Sequence, residues 1–89
     1  MDISYDPAKN ERNIRERQLS FDRAADFDFA NAIVGPIFRN GEWRKVAVGF
    51  FEDRLHVLCY KMTDDVMRVI SFRKANAKEG ERHGLKLRR

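Results

Sequence analysis

The sequence predicts an α+β fold: an antiparallel sheet of four or so strands, with two helices before it and one after, in the order β-α-α-β-β-β-β-α. Three observations predict it. Residues 7–17 are strong helix formers behind an Asp-Pro start. From residue 32 the pattern changes to β-branched and aromatic runs spaced about ten residues apart and joined by turn residues. After Phe72 the chain returns to helix formers. Closely spaced runs of this kind read as a meander, against which the helices pack. At 89 residues the chain forms one domain, 1–89, with a small core.

Ile3, Ser4 and Tyr5 are a short extended start. Asp6 caps the first helix and Pro7 opens it. Only Ala8, Ile14 and then Leu19 interrupt its polar surface, so it is expected to dock by few contacts. Ser20 caps a second helix with Asp22 in its first turn, and Phe21, Ala24, Ala25 and Phe29 form its core stripe. Ala32–Phe38 is a strand that Gly35-Pro36 bends, bulges or places at an edge. Asn40-Gly41 is a hairpin turn. Trp43–Phe51 follows, with Val46, Val48 and Phe50 on one face and Ala47, Gly49 and Phe51 on the other. Leu55–Met62 is apolar on both faces and therefore central. Val66–Phe72 is the last strand, with Arg68 alternating with Val66, Ile70 and Phe72 on one face. The closing helix starts near Arg73 and ends near Gly84.

The net charge of +4 is unevenly placed: residues 1–72 carry 11 basic and 12 acidic groups, residues 73–89 carry 7 basic and 2 acidic. A positive end suits a polyanion or an acidic protein partner. No apolar run approaches the roughly 20 residues of a membrane span, and MDISYDPAKN has no secretory pattern. A single cysteine, Cys59, makes no internal disulfide and reads as a small core residue. These features lead to the expectation of a cytoplasmic protein without a membrane partner. One Cys and two His in no metal-binding spacing argue against a zinc site, and no glycine-rich phosphate loop is present, so no cofactor is expected.

Glu52-Asp53 and Asp64-Asp65 read as hydrophilic hairpin tips. His56 and His83 titrate near neutrality and are the candidates for proton transfer; His83 stands four residues after Glu79, on one helix face. Arg68, Arg73 and Lys74 form the cationic group. Guanidinium forks stabilise charge on a phosphate in transfer, and an Arg among apolar strand residues needs an anion or a carboxylate. Ser71 is placed to donate to a phosphate oxygen.

Three ordered stretches resemble BrnT toxins. Tyr5-Asp6-Pro7-Ala8-Lys9 through Asn13, then Leu19-Ser20-Phe21-Asp22-Arg23-Ala24, is similar to the opening of that family. Arg44–Gly49 resembles its central strand, and Arg68-Val69-Ile70-Ser71-Phe72-Arg73-Lys74-Ala75 with Glu79 resembles its closing motif. Two positions depart: Gln18 stands where a Gly turn is usual, and His83 where Tyr is common. The resemblance implies a RelE-like fold and a ribonuclease toxin that stops translation by cleaving RNA without metal. It also implies a ribbon-helix-helix antitoxin of BrnA type, whose complex with the toxin binds operator DNA and represses its own promoter.

The expected chemistry is attack of a ribose 2′-hydroxyl on the adjacent phosphate, with Arg68 and Arg73 neutralising charge and His83, or His56 in its place, moving the proton. Lys74, Ser71, Lys78 and Arg82 would hold the RNA. The antitoxin is expected on the cationic face near the last helix and the Arg68 strand. The alternative is a basic binding module without catalysis, or a corepressor subunit for nucleic acid or an antitoxin.

Overall fold

A computed structural model describes residues 2–82. The fold is α+β, with a mixed five-stranded sheet: β1 (Asp2–Ser4), β2 (Ile33–Arg39), β3 (Glu42–Phe51), β4 (Arg54–Thr63) and β5 (Val66–Lys74), in the order β1-β5-β4-β3-β2. Two helices, α1 (Pro7–Arg17) and α2 (Ala77–Arg82), and two 3-10 segments, Phe21–Asp26 and Phe29–Asn31, complete it. The expected antiparallel sheet of four or so strands is therefore corrected to a mixed sheet of five. The short start is a fifth strand, and β1 lies parallel to β5, with Ile3 beside Met67. The second helix is also corrected to a six-residue 3-10 turn. Ser20 still caps it, its hydroxyl accepting from the Asp22 N–H, but the chain turns at Phe27.

The β2–β5 meander follows the predicted turns. Asn40 and Gly41 both have positive φ, as do Glu52 and Asp53, the geometry of two-residue hairpins between twisted strands. β4 is central and β2 is the edge, where Pro36 costs no interior hydrogen bond. One face of the sheet carries Ala47, Phe51, Leu58, Tyr60, Met67, Val69 and Phe72, packed under Leu19, Phe21, Ala24 and Phe27. The other face carries a smaller cluster, Val48, Phe50, Leu55 and Val57, against which Ala75 packs.

A bulge in β5 decides which residues meet. Tyr60 pairs with Val69 but Cys59 with Ser71, so Ile70 is one residue too many. The strand changes phase there. Phe72 joins Met67 and Val69 in the core instead of sharing a face with Arg68, which corrects the alternation expected from sequence. Ser71 and Arg73 cross to the other side, where they oppose Cys59 and Val57, just as Arg68 opposes Lys61. Arg68, Ser71 and Arg73 thus share the open face.

α1 lies beside β5 and docks through polar groups. Asn13 Nδ2 donates to the carbonyl oxygens of Leu19 and Phe72, both at 2.9 Å, and Asn10 Oδ1 accepts from the Phe21 N–H at 2.7 Å. Ile14, one of the few apolar residues of this helix, is 42% exposed. Gln18 ends the helix at φ 53, the left-handed region that glycine occupies without strain. This accounts for the glycine expected at that turn.

Gly49 marks a close approach. A Cβ there would stand 2.8 Å from Ala32 Cβ and 2.9 Å from Phe27 Cζ. Overpacking of this kind costs about 1–3 kcal/mol. Gly49→Ala is expected to lower the urea midpoint accordingly without changing the m-value, which a denaturation curve checks.

Candidate active site

The open face of the sheet forms a groove of about 640 Å³, walled by α1, floored by β3–β5 and closed at one end by α2. Lys9, Arg12 and Arg17 come from α1, Arg39 and Arg44 from the β2–β3 hairpin, Arg73 from β5 and Arg82 from α2. A second cleft adjoins it through Lys9, Arg44 and Ile70 and adds Lys61 and Arg68. The acids of these two spaces are Asp6, Glu42 and Glu79, so the face is strongly cationic. Glu42 accepts from Lys61 at 3.0 Å and from Arg44 at 2.8 Å, and these two cations hold its carboxyl below the ordinary range.

Around the end of α1 lies another cleft of about 640 Å³, lined by Glu16, Arg17, Gln18, Leu19, Phe51, Glu52, Arg54, His56, Arg73 and Lys74. It shares Arg17 and Arg73 with the groove. Glu52 is spent on Arg23, at 2.7 Å. Arg54 and Lys74 have no ion pair among the described residues, and Arg17 donates to a neutral acceptor, Asn13 Oδ1 at 2.6 Å. The cleft is therefore net positive: Arg17, Arg54, Arg73 and Lys74 stand against Glu16 and Glu52, with Arg73 itself paired to Glu79.

His56 stands at its floor, 4% exposed, with its ring against Phe51 and Phe72. Its Nδ1 is 2.8 Å from the Arg54 carbonyl oxygen. A carbonyl only accepts, so Nδ1 carries the hydrogen and Nε2 keeps its lone pair. Nε2 makes no hydrogen bond among the described residues and is not sealed from solvent, so it opens on the cleft. Burial pushes the imidazole below its ordinary pKa; the bond to the Arg54 carbonyl opposes this, and repulsion from Lys74 and Arg54 adds to it.

The sequence candidates divide between these spaces. His56, Arg73 and Lys74 come together in the cleft. Ser71, Arg73 and Arg82 line the groove. Arg68 is on the same face as Arg73 but about 15 Å along the strand, in the adjoining cleft, so the two do not converge on one point. Lys78 is exposed on α2. His83 lies outside the described residues, as does the expected end of the helix near Gly84. Cys59 is half-buried on the groove floor, and burial pushes its thiol up.

Arg73 is held by two bonds to Glu79, 2.8 and 2.7 Å, and Glu79 also accepts from the Asn76 N–H while Asn76 Oδ1 accepts from the Glu79 N–H. This reciprocal cap starts α2 at Ala77, so the closing helix begins later than the sequence suggests, and Arg73 and Lys74 stay in β5, paired with Val57 and His56. The Arg73 guanidinium holds the Glu79 carboxyl down to about 2, against 4.5 in the unfolded chain. A lowered folded pKa contributes stability that is present above 4.5 and lost as pH falls toward 2. With Arg73 34% exposed and screening allowed for, the contribution is about 1–2 kcal/mol. Protection factors of the α2 amides, measured against the intrinsic exchange rate at each pH, are expected to fall between pH 4.5 and 2 in the native chain and to show no such step in Glu79→Gln.

The residues that sequence reasoning missed are Lys9, Arg12, Arg17, Arg39, Arg44, Arg54 and Lys61. The signal in α1 was the pair Asn10 and Asn13: two buried amides fix the helix and turn Lys9, Arg12 and Arg17 toward the groove.

No helix among the described residues is long and apolar enough to cross a membrane. No curated protein and no solved structure gives a significant match to the chain. A family model described as the ribonuclease toxin BrnT of type II toxin–antitoxin systems matches residues 5–79. With that match over most of its length, the chain belongs to the BrnT family of type II toxin–antitoxin ribonuclease toxins.

Proposed function

We propose that the chain is a metal-independent endoribonuclease that cuts RNA in the His56 cleft. The observation that carries this reading is the contact of His56 Nδ1 with the Arg54 carbonyl: a neutral ring pinned there offers Nε2 to a cleft in which Arg17, Arg54, Arg73 and Lys74 outnumber Glu16 and Glu52. His56 Nε2 takes the proton of a ribose 2′-hydroxyl. The 2′-oxygen bonds to the adjacent phosphorus, and the bond from phosphorus to the 5′-oxygen breaks. That oxygen leaves with a proton from an acid, for which His83 is the candidate. The products are a 2′,3′-cyclic phosphate and a 5′-hydroxyl. Arg73 and Arg17 neutralise the charge that develops on the phosphate. Lys74, Ser71, Lys78 and Arg82 hold the RNA backbone beyond the cleft, and Arg68 binds a phosphate farther along, since it stands too far from His56 to share the reacting one.

In this reading the fold is of the RelE type, the chain acts in the cytoplasm to stop translation, and a ribbon-helix-helix antitoxin of BrnA type restrains it in a complex that represses its own promoter. The test is cleavage of a short RNA by the purified chain in EDTA, with the ends of the products identified. Cleavage is expected to persist, to leave cyclic phosphate ends, and to fall as pH drops through the lowered pKa of His56, below 6.5. Dependence on added metal, or 3′-hydroxyl ends, would overturn the mechanism.

A further inference from the structure

We infer that the groove on the open face of the sheet seats an amphipathic, acidic segment of the protein antitoxin, which silences the chain by engaging Arg17 and Arg73 from the groove side. The inference rests on the proposed role of the His56 cleft, to which those two arginines also belong. The groove is not uniformly polar. Its floor is a strip of part-exposed and buried aliphatic side chains, Ile37, Val46, Val57 and Ile70, with Cys59 between them. Above that strip stand two cationic walls: Lys9 and Arg12 on α1, and Arg39 and Arg44 on the β2–β3 hairpin. Lys9, Arg12 and Arg39 have no ion pair among the described residues, and Arg44 shares the single carboxylate of Glu42 with Lys61.

An occupant that covers the strip desolvates those cations, and only carboxylates on both of its flanks offset the cost. An apolar face bordered by acids is an amphipathic segment. The RNA of the proposed function touches this groove through its backbone, at Ser71 and Arg82; it does not cover the aliphatic strip, because single strands are gripped by stacking on rings and the one aromatic ring in the wall, Phe21, is 2% exposed. The chain's own residues 83–89 carry three cations and no acid, and a second copy of a chain with net charge +4 is likewise repelled.

The test uses the purified full chain and a fluorescent synthetic helix of roughly 18 residues, about 27 Å long. Its Leu residues follow i, i+3, i+4, i+7 spacing, with Glu on both flanks. A scrambled peptide of the same composition is the control. Anisotropy is expected to show at least about tenfold tighter binding of the amphipathic peptide than of the scramble, and about tenfold weaker binding by Ile37→Glu. Ile37 lies on the edge strand, and Arg39→Glu, on the exposed wall, is the second variant should the first unfold. Without peptide, Ile37→Glu is expected to cleave RNA within about twofold of the native chain. With peptide, native cleavage falls and the variant's does not. Equal binding of the scramble would mean charge alone and would overturn the proposal. So would no binding, as when residues 83–89 or a second copy fill the groove. So would a loss of peptide-free cleavage in Ile37→Glu as large as its loss of peptide binding, which would make the aliphatic strip itself part of the RNA track. An inactive native chain would refute the cleavage reading, while anisotropy would still decide the docking.

Discussion

His56→Asn is expected to lower the rate of RNA cleavage by about 10²–10⁴-fold at neutral pH, the usual worth of a positioned proton acceptor. Asparagine keeps an N–H donor near the position of the imidazole Nδ1, so the bond to the Arg54 carbonyl at the start of β4 is retained. It removes the Nε2 lone pair that faces the cleft. The fall should appear in kcat more than in KM, because Arg17, Arg54 and Lys74 remain to bind phosphate. The acid limb below pH 6.5 should vanish with the ring. Circular dichroism controls for the fold, since an aromatic ring against Phe51 and Phe72 is being shortened. Arg73→Ala gives the second reading, with a loss of about 10²–10³-fold in kcat. An unchanged pH profile in His56→Asn would assign proton removal to another group.

The largest expected effect on stability belongs to Asn13. Its amide satisfies two buried carbonyl oxygens, on Leu19 and Phe72, and its oxygen accepts from Arg17. Asn13→Ala strands both carbonyls, at about 1–3 kcal/mol for each unsatisfied buried group before relaxation. A total of about 2–4 kcal/mol lowers the melting temperature of a domain of this size by roughly 10–20 °C. Asn13→Asp is the sharper variant. It has the same size, yet at neutral pH it turns carboxylate oxygens toward two carbonyl oxygens, so it should melt at or below the alanine variant. A shift of only a few degrees would show that α1 is held mainly by other contacts.

The contrast between α1 and the sheet explains how much of the fold the residues disclose. Strands β2–β5 were legible because each is a run of β-branched and aromatic residues closed by turn residues whose left-handed φ the structure realises, Asn40-Gly41 above all. The dock of α1 was not legible as apolar packing, because it is made by amides. Asparagine at positions 10 and 13 looks like solvent-facing surface until their partners, Phe21, Leu19 and Phe72, are known. The parallel pairing of β1 was hidden for a similar reason: a three-residue strand carries too little pattern to announce its neighbour.

The candidate site was partly legible. Composition marked the carboxyl end as cationic and drew attention to Arg73, Lys74 and His56, which the fold brings to one cleft. It could not disclose that Arg17, eleven residues after Asp6 in a different element, completes that cleft, nor that Arg68 stands outside it. Those facts depend on how α1 crosses the end of β5, and they come from tertiary placement, not from local spacing.

The surplus residue at Ile70 has a consequence for how this chain tolerates change in length. Strand β5 reads in one frame before it and the opposite frame after it. Deleting Ile70 would close the bulge: Val69 opposite Tyr60 and Ser71 opposite Cys59 would become neighbours, and Phe72 would stay in the core with Arg73 on the open face. Loss of that codon should therefore be survivable, whereas a one-residue deletion in the unbulged ladder between β3 and β4 would turn every later side chain to the opposite face, making position 70 the place where this sheet can give up a residue.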